Sequence, residues 1–193
     1  MCIRDRSYTK KHLVPFGEYV PTGFRWFIDM LQIPMGDLLQ GSADQKTFEI
    51  DGVSAAPLLC YEDLFSAEIR EWWQGRSAPN LLVNLSNLGW FGDTHALPQH
   101  LNISRMRAME FARPVIRATN TGMTAYVTSD GKVAAELPAM KPGRLDVEVV
   151  TVQGNPTPFV KFGALPWLGA MVLLLISANL ALLFRKRHRL PLK

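Results

Sequence analysis

The sequence predicts an α/β domain followed by one membrane-spanning helix. Three observations predict it. An Asp51-Gly52 turn separates two runs of strand character, and the second, 53–59, ends at Cys60 and gives way to Glu62 and Asp63. A largely apolar run at 80–85 has the composition of a strand covered on both faces. Residues 163–184 carry no charge, a length sufficient to cross a hydrocarbon core of about 30 Å.

The elements follow in order. Aromatic and aliphatic residues at 23–33 predict a short helix or a loop leaning on a membrane, and the Gly-, Gln- and Ser-rich 36–44 predicts a loop. Residues 46–50 alternate and pair through Asp51-Gly52 with 53–59, a hairpin leading into Cys60. A helix is expected over 65–74, stopped by Gly75. After the 80–85 strand, 86–94 is a loop. A helix over 97–112 carries Leu101, Ser104, Ala108, Phe111 and Ala112 on one packed face and ends at Pro114. Strands are expected at 115–118, 123–128 and 132–137, the last two joined by the turn at Ser129, Asp130 and Gly131, and a final strand at 146–152. The Pro-rich 155–158 reads as a linker.

Charge separates the chain into two parts. The whole has 21 Lys and Arg against 17 Asp and Glu. The tail after Phe184 holds Arg185, Lys186, Arg187, Arg189 and Lys193 and no acid, so the remainder is close to neutral. The basic balance points to anionic lipid headgroups at an inner membrane surface and not to nucleic acid. The positive-inside tendency keeps that tail cytoplasmic and puts residues 1 to about 160 across the membrane. No signal peptide is visible, so the chain is expected to be the C-terminal piece of a longer protein.

Two cysteines exclude a disulfide-rich scaffold, and Cys2 lies in a start without hydrophobic period, which leaves Cys60 as a free thiol. A thiol at a strand–turn–helix corner is either a buried small hydrophobe or an exposed nucleophile. Residues 8–18 pack Lys10, Lys11, His12 and Glu18 around a Pro and a Gly, which alone reads as a solvated loop. The Trp90-Phe91 pair between Gly89 and Gly92 alone reads equally as a tight turn with a core Trp or as a functional loop. Arg105, Arg107, Glu110 and Arg113 read as ion pairs on a wet helix face. His95 and His100 fall on different helix faces without an acidic or cysteine ligand set, so no metal is expected.

Taken together, Tyr8 through Pro21, the Leu59-Cys60-Tyr61-Glu62 corner, Trp90-Phe91-Gly92, Gln99-His100, Arg105 to Ala108, Glu110, Ala112-Arg113-Pro114, Arg117 to Gly122 and Asp130-Gly131 resemble the nitrilase-like domain of apolipoprotein N-acyltransferases. The lysine segment and the arginine-rich helix are more specific than Cys-Tyr-Glu, which the wider carbon–nitrogen hydrolases share. The resemblance implies part of an α-β-β-α sandwich followed by one transmembrane helix. The expected organisation is a fragment start at 1–7, the C-terminal part of the catalytic domain at 8–155, a linker at 156–162, the span at 163–184 and a cytoplasmic tail at 185–193.

The same resemblance implies the site. Cys60 matches the nucleophile and Lys10 the catalytic lysine of a Glu–Lys–Cys triad. Glu18 matches a second glutamate near the site, Tyr61 and Glu62 support the nucleophile loop, and Trp90 matches an aromatic near the acyl-binding region. Family members often carry an acid where Leu88 stands. The general-base glutamate is expected upstream of the lysine segment, and Asp5 is no substitute, so the chain alone is expected to be inactive. The implied reaction moves an acyl chain from a phospholipid to the N-terminal amine of a diacylglyceryl-apolipoprotein, through a thioester, at the bacterial inner membrane. It requires no metal or organic cofactor. A membrane-anchored amidase or nitrilase-type hydrolase, with water as acceptor, and an inactive fragment are the alternatives.

Overall fold

The computed structural model describes residues 7–31, 37–74 and 78–188, the stretch 181–188 as backbone only. Cys2, Asp5, Gly75 and the side chains of the tail lie outside the described residues.

Among the described residues, six strands form one sheet in chain order. β1 (Phe48–Ile50) and β2 (Val53–Leu59) make the expected hairpin, with Asp51 and Gly52 both at positive φ, 48° and 82°. A two-residue hairpin turn of this type needs left-handed backbone at both positions, which is why Asp-Gly serves there. β2, β3 (Leu81–Ser86) and β4 (Val115–Thr119) run parallel, while β5 (Thr124–Val127) and β6 (Val133–Leu137) add antiparallel to the far side.

The core lies between helices and one sheet face. Ala56, Leu58, Leu82, Val115, Ala125 and Val127 meet Ile69, Trp72, Leu101, Ala108, Phe111 and Val160. α3 (Ala96–Phe111) supplies most of the cover, as its apolar spacing predicts. It ends at Ala112, whose left-handed φ of 47° turns the chain before Pro114. The opposite face of β3 shows Leu81, Val83 and Leu85, and Leu85 is 50% exposed, so the described residues cover the strand mainly from one side.

Three elements differ from expectation. The helix expected over 65–74 is α2 (Ser66–Arg70) tightening into a 3-10 turn at Glu71–Gln74, and a further, unexpected 3-10 turn at Cys60–Leu64 precedes it. Phe65, with φ −96° and ψ 73°, outside helical geometry, separates that preceding turn from α2. The strand expected at 146–152 forms no ladder. Val150 N–H donates to the Tyr126 hydroxyl at 3.2 Å and Val152 N–H to the Asn80 carbonyl at 3.4 Å. These partners are a side chain of β5 and the residue before β3, so the segment makes scattered contacts instead of a strand ladder. Within 156–162, α4 (Pro158–Phe162) is capped by Thr157 and places Val160 in the core.

α1 (Arg25–Met30) buries Ile28 and exposes Trp26 and Met30. α5 (Leu165–His188) follows α4, with Leu165, Trp167, Leu168 and the apolar residues 171–176 exposed. Among the described residues no helix is long and apolar enough to cross a membrane. The expected span, 163–184, runs beyond residue 180, where side chains pass outside the described set.

Candidate active site at the end of the parallel strands

β2 delivers Cys60 to the C-terminal end of the parallel strands, at φ 55°. A non-glycine residue there carries steric strain of about 1–2 kcal/mol, so the surroundings must hold it. The thiol is partly exposed and approaches the Asn87 carbonyl at 3.8 Å.

Glu62 holds the corner. It is 3% exposed and accepts four hydrogen bonds. Leu59 N–H donates at 2.6 Å and the Tyr8 hydroxyl at 3.0 Å to one oxygen, while Lys11 N–H at 2.6 Å and His12 N–H at 3.2 Å donate to the other. One carboxylate thereby ties the lysine segment to the residue before Cys60. Burial first, and then the charge of Glu62, raises the Tyr8 phenol far above its ordinary value.

Lys10 is buried, not solvated. Its ammonium lies 2.7 and 2.8 Å from the two oxygens of Glu18 and 5.1 Å from the Tyr61 ring centre. Glu18 also accepts Val14 N–H at 2.8 Å. The Tyr61 hydroxyl donates to the Leu13 carbonyl at 2.7 Å. Burial, followed by the charge of Glu18, pushes the Tyr61 phenol up to about 12. His12 stacks on Phe65 at 3.6 Å and contacts Glu68 through Nδ1 at 2.8 Å. Lys10, Glu18, Tyr61 and Glu62 therefore come together on the Cys60 corner.

Trp90 stands in the open. It is 80% exposed on a 3-10 turn (Gly89–Phe91), which corrects the reading of a core Trp. Leu88 is the core residue of that loop, 0% exposed, with its N–H on Asn120 Oδ1 at 2.9 Å. A Cβ on Gly122 would stand 2.5 Å from the end of the Leu88 side chain, which would have to move to admit it. Asn120 also donates to Asn87 Oδ1 at 2.7 Å, linking this loop to the carbonyl beside the thiol.

A second polar cluster lies beneath the corner, unassigned by the sequence reading. Arg117 and Asn84 are 0% exposed and Asp63 is 1% exposed. Arg117 Nη1 donates to Asp63 Oδ2 at 3.3 Å, Asn84 Oδ1 at 3.2 Å and Ser104 Oγ at 3.0 Å. Ser104 donates in turn to Asp63 at 3.0 Å. Burial pushes the Asp63 carboxyl up to about 6, with Arg117 and Ser104 pulling it back, and drives His100 down to about 4. The visible signals were an asparagine inside an apolar strand run and an arginine in a strand.

Arg105 is exposed and Arg107 pairs with Glu110 at 3.1 Å, as expected, but Arg107 and Arg113 depart from the wet-face reading. Arg107 is 6% and Arg113 2% exposed. Arg113 donates to the carbonyls of Pro79, Ala112 and Gly154, which explains its burial without a carboxylate. No group of His, Cys, Asp and Glu among the described residues could hold a metal ion.

The carbon–nitrogen hydrolase family profile matches residues 4–156. The chain is 53% identical over 175 residues to the apolipoprotein N-acyltransferase of Bordetella bronchiseptica, covering 89% of this chain and 32% of that one. It is 42% identical over 190 residues to the apolipoprotein N-acyltransferase of Nitrosomonas europaea, covering 96% of this chain and 37% of that one. The chain thus spans about a third of the length of these relatives. Among solved structures, an amidase of the nitrilase superfamily from Nesterenkonia sp. AN1 overlaps 70% of this chain and 47% of its own, with a TM-score of 0.48 and 19% identity.

Proposed function

The chain belongs to the carbon–nitrogen hydrolase family, and on that premise we propose that it is the C-terminal part of an apolipoprotein N-acyltransferase with Cys60 as its nucleophile. The observation that carries this reading is the fastening of the Lys10 segment onto the Cys60 corner by the four hydrogen bonds of Glu62. The acyltransferase names of the relatives supply the substrate class.

In this reading the Cys60 thiolate attacks the ester carbonyl of a phospholipid. A C–S bond forms, the ester C–O bond breaks, and lysophospholipid leaves with a proton. The amine of a diacylglyceryl-apolipoprotein then attacks the thioester. The C–N bond forms, C–S breaks, and the amine proton passes to a base. Lys10 and the Tyr61 backbone N–H face the developing oxyanion. Glu18 holds Lys10 in place, and Tyr61 and Glu62 hold the loop. Glu18 and Glu62 are each engaged by donors of this chain, so the base is assigned, with the resemblance, to a glutamate outside it.

Residues 8–155 are the proposed catalytic part. Residues 163–184 are the proposed span in a bacterial inner membrane, with 185–193 cytoplasmic and the catalytic part on the other side. The exposed apolar side chains of α5, from Leu165 to Leu180, support this, as do Trp26 and Met30 of α1, which suit a membrane-leaning segment. Trp90, exposed on its loop, is proposed to meet the acyl chain.

The test is covalent labelling in membranes carrying the full-length protein. Phospholipid labelled in its acyl chain should leave a hydroxylamine-sensitive label on Cys60, absent from Cys60→Ala. Equal labelling of the alanine variant overturns the assignment.

A further inference from the structure

The Cys60 carbonyl does not point to solvent. Asn84 Nδ2 donates to it at 2.9 Å from within the sheet. Ser86 Oγ also stands 3.5 Å away, but its single proton goes to Asn84 Oδ1, the closer of its two contacts. Asn84 is therefore the donor that fixes this carbonyl. The orientation of its amide is not free. Arg117 and Ser86 both donate toward Oδ1, and turning the amide over would set donors against donors and oxygen against oxygen. Arg117 is held in turn by Asp63, which belongs to the same 3-10 turn as Cys60. Corner and support form a closed loop: Cys60 carbonyl, Asn84, Arg117, Asp63, and back along three residues of chain.

A planar trans peptide places its N–H opposite its C=O. The described residues contain no cis peptide. With the Cys60 carbonyl drawn toward Asn84, the N–H of Tyr61 in the same peptide must point the other way, out of the sheet. It is also among the first N–H groups of a helical turn, which have no partner within the turn.

Resting on the reading of Cys60 as the acyl-carrying thiol, we infer that Asn84 is a positioning residue, which by anchoring the Cys60 carbonyl inward aims the Tyr61 N–H at the forming oxyanion. Arg117 and Asp63 hold Asn84 in the orientation this needs. The polar residue in the middle of β3 thus serves the chemistry at the end of β2.

The experiment separates two reactions of one thiol in the full-length protein. Alkylation of Cys60 by iodoacetamide forms no oxyanion. Acylation by p-nitrophenyl butyrate does. Asn84→Asp replaces the donor to Cys60 with an acceptor while leaving an oxygen for Arg117. Acylation should fall about 10- to 100-fold, less than the roughly 100- to 1000-fold cost of removing an oxyanion donor outright because the N–H is only misaimed, while the alkylation rate and its pH profile stay within about threefold of wild type. Asn84→Ser, too short to reach the carbonyl, gives the same contrast if the aspartate variant does not accumulate. Equal acylation in variant and wild type overturns the inference. So does a parallel loss of both reactions in a protein that keeps its thermal midpoint, since the residue would then act on the thiol and not on the amide. Phospholipid labelling of wild type runs beside these assays: its absence breaks the acyltransferase reading, whereas its presence with an unaffected Asn84→Asp breaks only this inference.

Discussion

The two ends of the parallel strands are each stapled by one buried charged residue, and the staples are of opposite kind. At the C-terminal end, Glu62 accepts from the backbone of residues 11, 12 and 59 and from Tyr8. At the N-terminal end, Arg113 donates to carbonyls of residues 79, 112 and 154. Both tie distant segments together. Only the glutamate borders the thiol and the lysine. The difference teaches that equal burial and equal connectivity need not mean equal relevance to chemistry. One staple holds reacting groups in register, the other holds the fold's far edge.

The largest effect should come from breaking the first staple. Glu62→Gln puts an amide nitrogen against two of the backbone or hydroxyl donors. A loss of about 3 kcal/mol in stability is expected, together with at least a tenfold loss of acyl transfer per folded molecule. Urea midpoints and thioester formation measure the two separately. A variant that is destabilised but fully active would make Glu62 no different in kind from Arg113.

Breaking the second staple should be milder and one-sided. Arg113→Met leaves three carbonyls short of a donor, so about 2 kcal/mol of stability is expected to go. The rate per folded molecule should stay within about twofold, because the change lies at the strand end away from Cys60. A selective rate loss would dissolve the contrast between the ends.

The smallest effect is a pH slope beneath the corner. Burial sets Asp63 at about 6 and His100 at about 4. Between pH 4 and 6 the folded chain keeps the Asp63 proton that the unfolded chain has released, so this group lowers stability as pH rises. His100 does the reverse: the unfolded chain binds a proton below its ordinary value of 6.5 that the buried ring refuses, and stability rises with pH over that window. The two slopes oppose, so the wild-type midpoint should change little. His100→Gln removes the rising component, and its thermal midpoint is expected to fall between about pH 4 and pH 6. A midpoint that instead rises would mean that Arg117 outweighs burial at Asp63.

Legibility in the sequence followed the range of the interactions. The Asp51-Gly52 hairpin, β3 and α3 were readable because turn chemistry and periodicity are local. The helix expected over 65–74 was readable too, starting at Ser66 and tightening after Arg70, whereas the extra turn at Cys60–Leu64, where Glu62 accepts from Leu59 N–H, was not. The strand expected at 146–152 had strand composition, but its hydrogen-bond partners are distributed over different strands. Arg107 and Arg113 looked solvated because helical spacing says nothing of what covers a face. For Trp90 the sequence left a core position open beside the acyl-binding one, and burial of Leu88 with exposure of Trp90 closes the first.

The sequence by itself determined the α/β class, the corner at Cys60, the uncharged C-terminal run and the family resemblance that singled out Lys10, Glu18, Tyr61, Glu62 and Trp90. These are properties of short segments, set by turn residues, alternation and motif spacing. Only the tertiary structure decided that Glu62 fastens residues 8–12 to the corner, that Trp90 is exposed, and that Asn84, Arg117 and Asp63 support the corner from beneath. Those facts join residues about 20 to 55 positions apart. Which buried donor meets which buried acceptor is settled when the strands pair and the helix closes over them, and no local pattern of residues encodes it.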